Sequence, residues 1–134
     1  MNVNDPRAAQ QLLNGFYPRE REGCWTGKTF RVRLAAPPNA ARKGAVLILR
    51  FGIPGASIER LHTIAVSGAV NGVALTPGEY TQAGDFSYSR DVPQSAFHGG
   101  DTFAEFTLDK VTPASPPENR ELGLFVTTIG LEAR

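Results

Sequence analysis

Thr29-Phe30-Arg31-Val32-Arg33-Leu34 is the stretch that decides the fold. Apolar Phe30, Val32 and Leu34 alternate with polar Thr29, Arg31 and Arg33, a period of two that belongs to a β-strand with one dry and one wet face. A helix would place Phe30 and Val32 on different sides. Pro37 and Pro38 end the strand, because proline cannot donate to a ladder. Outward from this segment the same kind of run recurs. Ala45 to Phe51 is apolar on both faces apart from Arg50, which predicts a central strand covered on both sides. Leu61–Val70 is rich in β-branched residues and is followed by Asn71-Gly72 and Val73-Ala74-Leu75, the signature of a hairpin closed by a type I′ turn.

Phe86, Tyr88, Arg90 and Val92 alternate with Asp85, Ser87, Ser89 and Asp91, and Thr102–Val111 and Leu122–Leu131 supply two further strands. Breaks fall between them at Gly52-Ile53-Pro54-Gly55, Pro77-Gly78, Gly99-Gly100 and Pro113–Pro117. Short strands punctuated in this way predict an all-β, two-sheet antiparallel sandwich over residues 28–132. One helix is expected over Asp5–Gly15. Asp5 would cap it, Pro6 suits its first position, and Gly15 suits a left-handed stop.

The bulk numbers fit one domain. The chain has 134 residues, 41% of them hydrophobic and 20% charged, enough for a core without staples. The formal net charge of +1, from 14 basic and 13 acidic residues, gives no electrostatic reason to expect nucleic acid. Cys24 is the only cysteine, so a cystine-stapled or cysteine-ligated domain is excluded. The first residues lack the basic start and apolar run of a signal peptide, and no stretch approaches the ~20 apolar residues of a membrane span. A cytoplasmic setting without membrane insertion is the expectation.

Catalytic patterns are thin. The two histidines, His62 and His98, have no Gly-x-Ser-x-Gly elbow beside them, and an ordinary exposed imidazole explains both. No zinc spacing or EF-hand calcium loop is written in the chain, so no metal site and no cofactor are expected, although calcium held by loop carbonyls and a lone acid such as Asp85 or Asp101 would leave little trace in a sequence. The run Glu20-Arg21-Glu22 reads as a solvated loop. The more informative residues are aromatic and polar groups near strand ends: Tyr17, Trp25, Tyr80, Arg90 and His98. Sugar rings stack their C–H faces on aromatic side chains while charged groups and amides bind the hydroxyls, so these five are the candidate ligand contacts. For Trp25 a buried core role and a stacking platform are both open. Arg31 and Arg33, on one wet face, are the candidate partner face, with Glu105 and Asp109 as cross-strand acids; a plain charge ladder is the simpler account.

Leu13-Asn14-Gly15-Phe16-Tyr17-Pro18 with Cys24-Trp25-Thr26-Gly27, the hairpin Val70-Asn71-Gly72-Val73, and the closing Asn119-Arg120-Glu121-Leu122-Gly123-Leu124 and Ile129-Gly130-Leu131 together resemble a small bacterial β-sandwich domain. Domains of that kind stand alone or are fused to glycosyltransferases and methyltransferases of surface-polysaccharide synthesis. The chain departs from the pattern at Cys24, where an aromatic or basic residue is usual, and in its short acidic stretch at Glu118. The resemblance implies a galactose-binding-like or jelly-roll sandwich and no catalytic residues. It also implies a carbohydrate-related role: binding a glycan or nucleotide-sugar intermediate. The alternative is docking onto a glycosyltransferase partner or self-association. Within the motif, Arg120 would bond loop carbonyls and Gly123 would allow close strand approach.

Overall fold

The computed structural model describes residues 12–18, 20, 23–114 and 120–134. Among these described residues nine antiparallel strands dominate: β1 (Leu12–Phe16), β2 (Cys24–Leu34), β3 (Ala45–Ile53), β4 (Ile64–Val70), β5 (Val73–Ala74), β6 (Gly78–Tyr80), β7 (Gly84–Val92), β8 (Thr102–Leu108) and β9 (Phe125–Ala133). Two short helices, α1 (Ala40–Lys43) and α2 (Gly55–Leu61), and a 3-10 turn at Gln94–Ala96 fill the connections. Hydrogen bonding follows one continuous path, β5-β4-β8-β2-β9-β3-β7, with β1 added to β2 and β6 to β4.

Strand β2 belongs to both halves of that path. Cys24 and Trp25 pair with Val126 and Phe125 of β9, whereas Thr29–Leu34 pair with Thr102–Thr107 of β8. The path curls, because β7 at one end touches β4 near the other. The buried Tyr88 hydroxyl accepts the Gly68 backbone N–H at 3.1 Å. The space between the halves holds the core: Phe30, Val32, Leu47, Leu49, Phe51, Val66, Tyr88, Phe106 and Ile129 are all 2% exposed or less. Phe30 stacks on Phe106 at 5.0 Å between centroids.

The alternation in Thr29–Leu34 is realised as read, with Phe30, Val32 and Leu34 inward and Arg33 exposed. Asn71 and Gly72 take φ of +48° and +84°, the pair of positive values a type I′ turn needs. Strand β3 departs from the expectation of double cover. Its inner residues are buried, but Val46 and Ile48 are only half-buried and Arg50 is exposed. Among the described residues, Val46 is flanked by Asp91 and Glu132 and Ile48 by Ser89 and Gly130 on the neighbouring strands β7 and β9.

The helix expected over Asp5–Gly15 is corrected in its second half; Asp5–Gln11 lie outside the described residues. Leu12–Phe16 form β1, with Leu12 opposite Val32 and the Phe16 ring edge-on to Phe30 at 5.4 Å. Gly15 does adopt a positive φ, +82°, but within a register shift of β1 rather than at a helix end. A helix stop and a β-bulge ask the same thing of a glycine, so that cue alone does not separate them.

Candidate functional site

The outward face of the β7-β3-β9-β2 half carries a row built by register. Asp85 lies opposite Gly52, Gly52 opposite Phe125, and Phe125 opposite Trp25, so one residue from each of four strands projects to the same side. The adjacent row places Ser87, Arg50 and Thr128 side by side. Gly52 leaves a gap in the middle of this surface. A Cβ there would meet the Asp85 Oδ1 at 3.2 Å, with the backbone oxygens of Gly84 and Phe125 at 4.0 Å.

Trp25 is half-buried and edge-on to Phe125, with centroids 5.2 Å apart and planes at 66°. Its position follows from the parity of β2: Cys24 and Thr26 are fully buried, so Trp25 between them must face out. The aromatic pair and the glycine gap bound two adjoining hollows. One, of about 430 Å³, is lined by Arg50, Asp85, Ser87 and Thr127. The other, of about 360 Å³, lies over Trp25, Pro54 and Glu20. Gly52, Asp85 and Phe125 wall both. Thr127 is fixed by donating its hydroxyl to the Arg50 carbonyl at 3.2 Å. The Arg50 side chain is exposed. The surface therefore offers an acceptor, a donor, hydroxyls and an apolar wall around a floor without a side chain.

Tyr17 borders this surface. Its N–H donates to the Trp25 carbonyl at 3.0 Å, and its hydroxyl donates to the Glu121 carbonyl at 2.8 Å. The Arg120 guanidinium lies 4.9 Å over the Tyr17 ring and 3.9 Å from Glu20. Arg120 thus packs on a ring and a carboxylate. Gly123 does allow close approach: a Cβ would come 2.6 Å from Thr26 Oγ1 and 2.7 Å from the Gly27 carbonyl. Glu118 lies outside the described residues.

Tyr80 of β6 and Arg90 of β7 sit elsewhere, where β6 packs on the inner side of edge strand β7, and their polar groups are engaged internally. Arg90 donates from Nε to Thr76 O at 2.8 Å, from Nη2 to Pro77 O at 3.1 Å and from Nη1 to Ser89 O at 2.8 Å. It also lies 4.4 Å over the Tyr88 ring. Tyr80 packs against Phe51 at 5.0 Å and Phe86 at 5.3 Å, and its hydroxyl reaches Ser87 O at 3.4 Å. Burial pushes the Tyr80 and Tyr88 hydroxyls above the ordinary tyrosine value of 10.0, while the Arg90 charge pulls the other way.

His98 is exposed in the loop between the 3-10 turn and β8. Arg31 stands directly opposite Glu105 and holds its guanidinium 4.4 Å over Phe103, beside a hollow of about 200 Å³; Arg33 is opposite Phe103. Asp109 does not join them, because its Oδ1 accepts the Ala65 N–H at 2.8 Å. Of the five candidate contacts, Trp25 alone lines the two hollows beside Gly52; Tyr17 is tied to it through the backbone, with its hydroxyl on the Glu121 carbonyl and its ring under Arg120. The residues that complete their surface, Gly52, Asp85, Phe125 and Arg50, gain meaning only from register, which single strands do not display.

Among the described residues no cluster of three or more histidine, cysteine or carboxylate side chains could hold a metal, and no helix is long and apolar enough to cross a membrane. No family model and no curated protein matches the chain. A solved structure does: an acetyl xylan esterase from the rumen bacterium Butyrivibrio proteoclasticus, at a TM-score of 0.51 and 8% identity, covering 100% of this chain and 33% of that one. The chain spans about a third of the length of that enzyme, and at such identity the likeness is one of fold alone.

Proposed function

We propose that this chain is a non-catalytic carbohydrate-binding module of the jelly-roll, galactose-binding-like sandwich type, acting in bacterial glycan metabolism. The observation that carries the reading is the row Asp85–Gly52–Phe125–Trp25 with Arg50 beside it. Sugars need an apolar wall for C–H faces and fixed donors and acceptors for hydroxyls, and this surface supplies both around an unfilled floor. The fold likeness to part of an enzyme of acetyl xylan is compatible with the same context. In this reading the Asp85 carboxylate beside Ser87 serves as a hydrogen-bond acceptor for a sugar hydroxyl.

The test is a glycan array that includes xylan fragments and bacterial surface glycans, followed by titration calorimetry on the hits. Reproducible binding to one glycan class, weakened at least tenfold in Trp25→Ala with the fold intact by circular dichroism, is the expected result. Silence across the array overturns the reading and transfers it to docking or self-association through Arg31 and Arg33.

A further inference from the structure

We infer that the surface over Gly52 holds two consecutive, uncharged sugar units rather than a single residue or an acidic one; this rests on the carbohydrate reading above. The row from Asp85 to Trp25 crosses three strand spacings, about 14 Å at ~4.8 Å each. That is room for two linked pyranose rings, each about one spacing wide. The two hollows differ in chemistry in the sense such a pair requires. The one beside Arg50 is rimmed by Asp85, Ser87 and Thr127, hydrogen-bonding groups set to fix hydroxyls. The one over Trp25 and Pro54 is mostly apolar and suits a stacked ring.

Charge sets the class of ligand. Gly52 has Asp85 opposite it on β7 and Arg50 two residues earlier on its own strand, one acid and one base around the same gap, while Glu20 at the second hollow is matched by Arg120 at 3.9 Å. A carboxylated sugar would gain Arg50 and meet Asp85, and an amino sugar would meet the reverse, whereas a neutral polyol uses one as acceptor and the other as donor. Gly52 is the residue that opens the first hollow. Its φ lies outside the left-handed range, so a β-branched residue fits the strand and fills the gap against the mobile end of Asp85.

The experiment titrates the whole chain with the methyl glycosides of xylose, glucose and galactose, their disaccharides, and glucuronic acid, following amide and indole resonances by NMR. The expected result is a disaccharide bound at least tenfold more tightly than its methyl glycoside, shifting both Ser87 and the Trp25 indole. Trp25→Ala reduces the disaccharide to the affinity of the monosaccharide, and Gly52→Val, folded as judged by its spectrum, removes both. Equal affinity for one unit and two overturns the two-unit inference and leaves the carbohydrate reading standing. Preference for glucuronic acid overturns the neutral class in the same way. No shift with any sugar overturns the carbohydrate reading itself.

Discussion

Two regions of this molecule each combine aromatic rings with an arginine, and they do opposite things. Around β7, Tyr88, Tyr80 and Arg90 direct their polar atoms at Thr76, Pro77, Ser87, Ser89 and Gly68, so the loop before β6 is tied to the sheet edge. On the outward face, Trp25 and Phe125 stand beside Arg50 and Asp85 around a gap. The amino-acid types are nearly the same. The difference is whether the guanidinium points at carbonyls of its own chain or at solvent, and strand parity and register decide that. Arginine beside aromatic residues in a strand is therefore a cue for a site only once its donors have been accounted for.

Substitutions can break this contrast, and the largest effect belongs to the closed cluster. Tyr88→Ala should cost about 3–5 kcal/mol in chemical denaturation, since it empties a fully buried ring position and strands the Gly68 N–H. Trp25→Ala, on a half-buried residue, should stay below about 2 kcal/mol while weakening glycan binding at least tenfold. Equal losses would make both rings core and erase the distinction. Arg90→Ala should cost about 1–3 kcal/mol, and Arg90→Lys should recover little of it, because a single ammonium cannot replace a fork that reaches Thr76 and Pro77 together. If lysine restores the melting temperature, charge rather than geometry holds the loop.

A pH titration of stability sharpens the contrast further. With the Tyr80 and Tyr88 hydroxyls raised above 10.0 in the fold, the unfolded chain ionises first as alkali is added. Stability from these groups is complete below pH 10.0 and is lost as the pH climbs through their folded values. Tyr88→Phe should flatten that decline, measured by urea denaturation from pH 8 to 11. The smallest effect is expected at Arg31 and Arg33: the double change to Glu should cost about 1 kcal/mol, from the lost Phe103 contact and the like charge set opposite Glu105. Sedimentation velocity of the same variant reports whether that face joins copies of the chain.

Much of the fold is legible in the sequence because its strands are half-buried and alternate visibly, as in Phe30-Arg31-Val32-Arg33-Leu34 and Phe86 to Val92. Asn71-Gly72 fixes one hairpin without ambiguity. The failures have physical causes. Leu12–Phe16 carries helix-compatible residues and a glycine whose positive φ serves either structure, and tertiary contact with Val32 and Phe30 decides for the strand. Trp25 is half of the candidate site and is visible as a lone tryptophan. Gly52 reads as a strand breaker, yet it lies inside β3, and its value comes from an absent side chain between Asp85 and Phe125. Tyr80 and Arg90 look like ligand contacts because a sequence shows donors and not their acceptors.

Strand β2 has a consequence for how the chain acquires its shape. Trp25 meets Phe125, and Thr26 Oγ1 accepts the Leu124 N–H across 98 positions of sequence. The aromatic wall thus cannot exist until the chain as far as β9 has left the ribosome. Pairings of such separation are slow to find, so formation of the groove should trail the local Asn71-Gly72 hairpin in refolding time courses. Trp25 fluorescence would then report the last stage of folding, and any fragment ending before β9 would carry the tryptophan without its site.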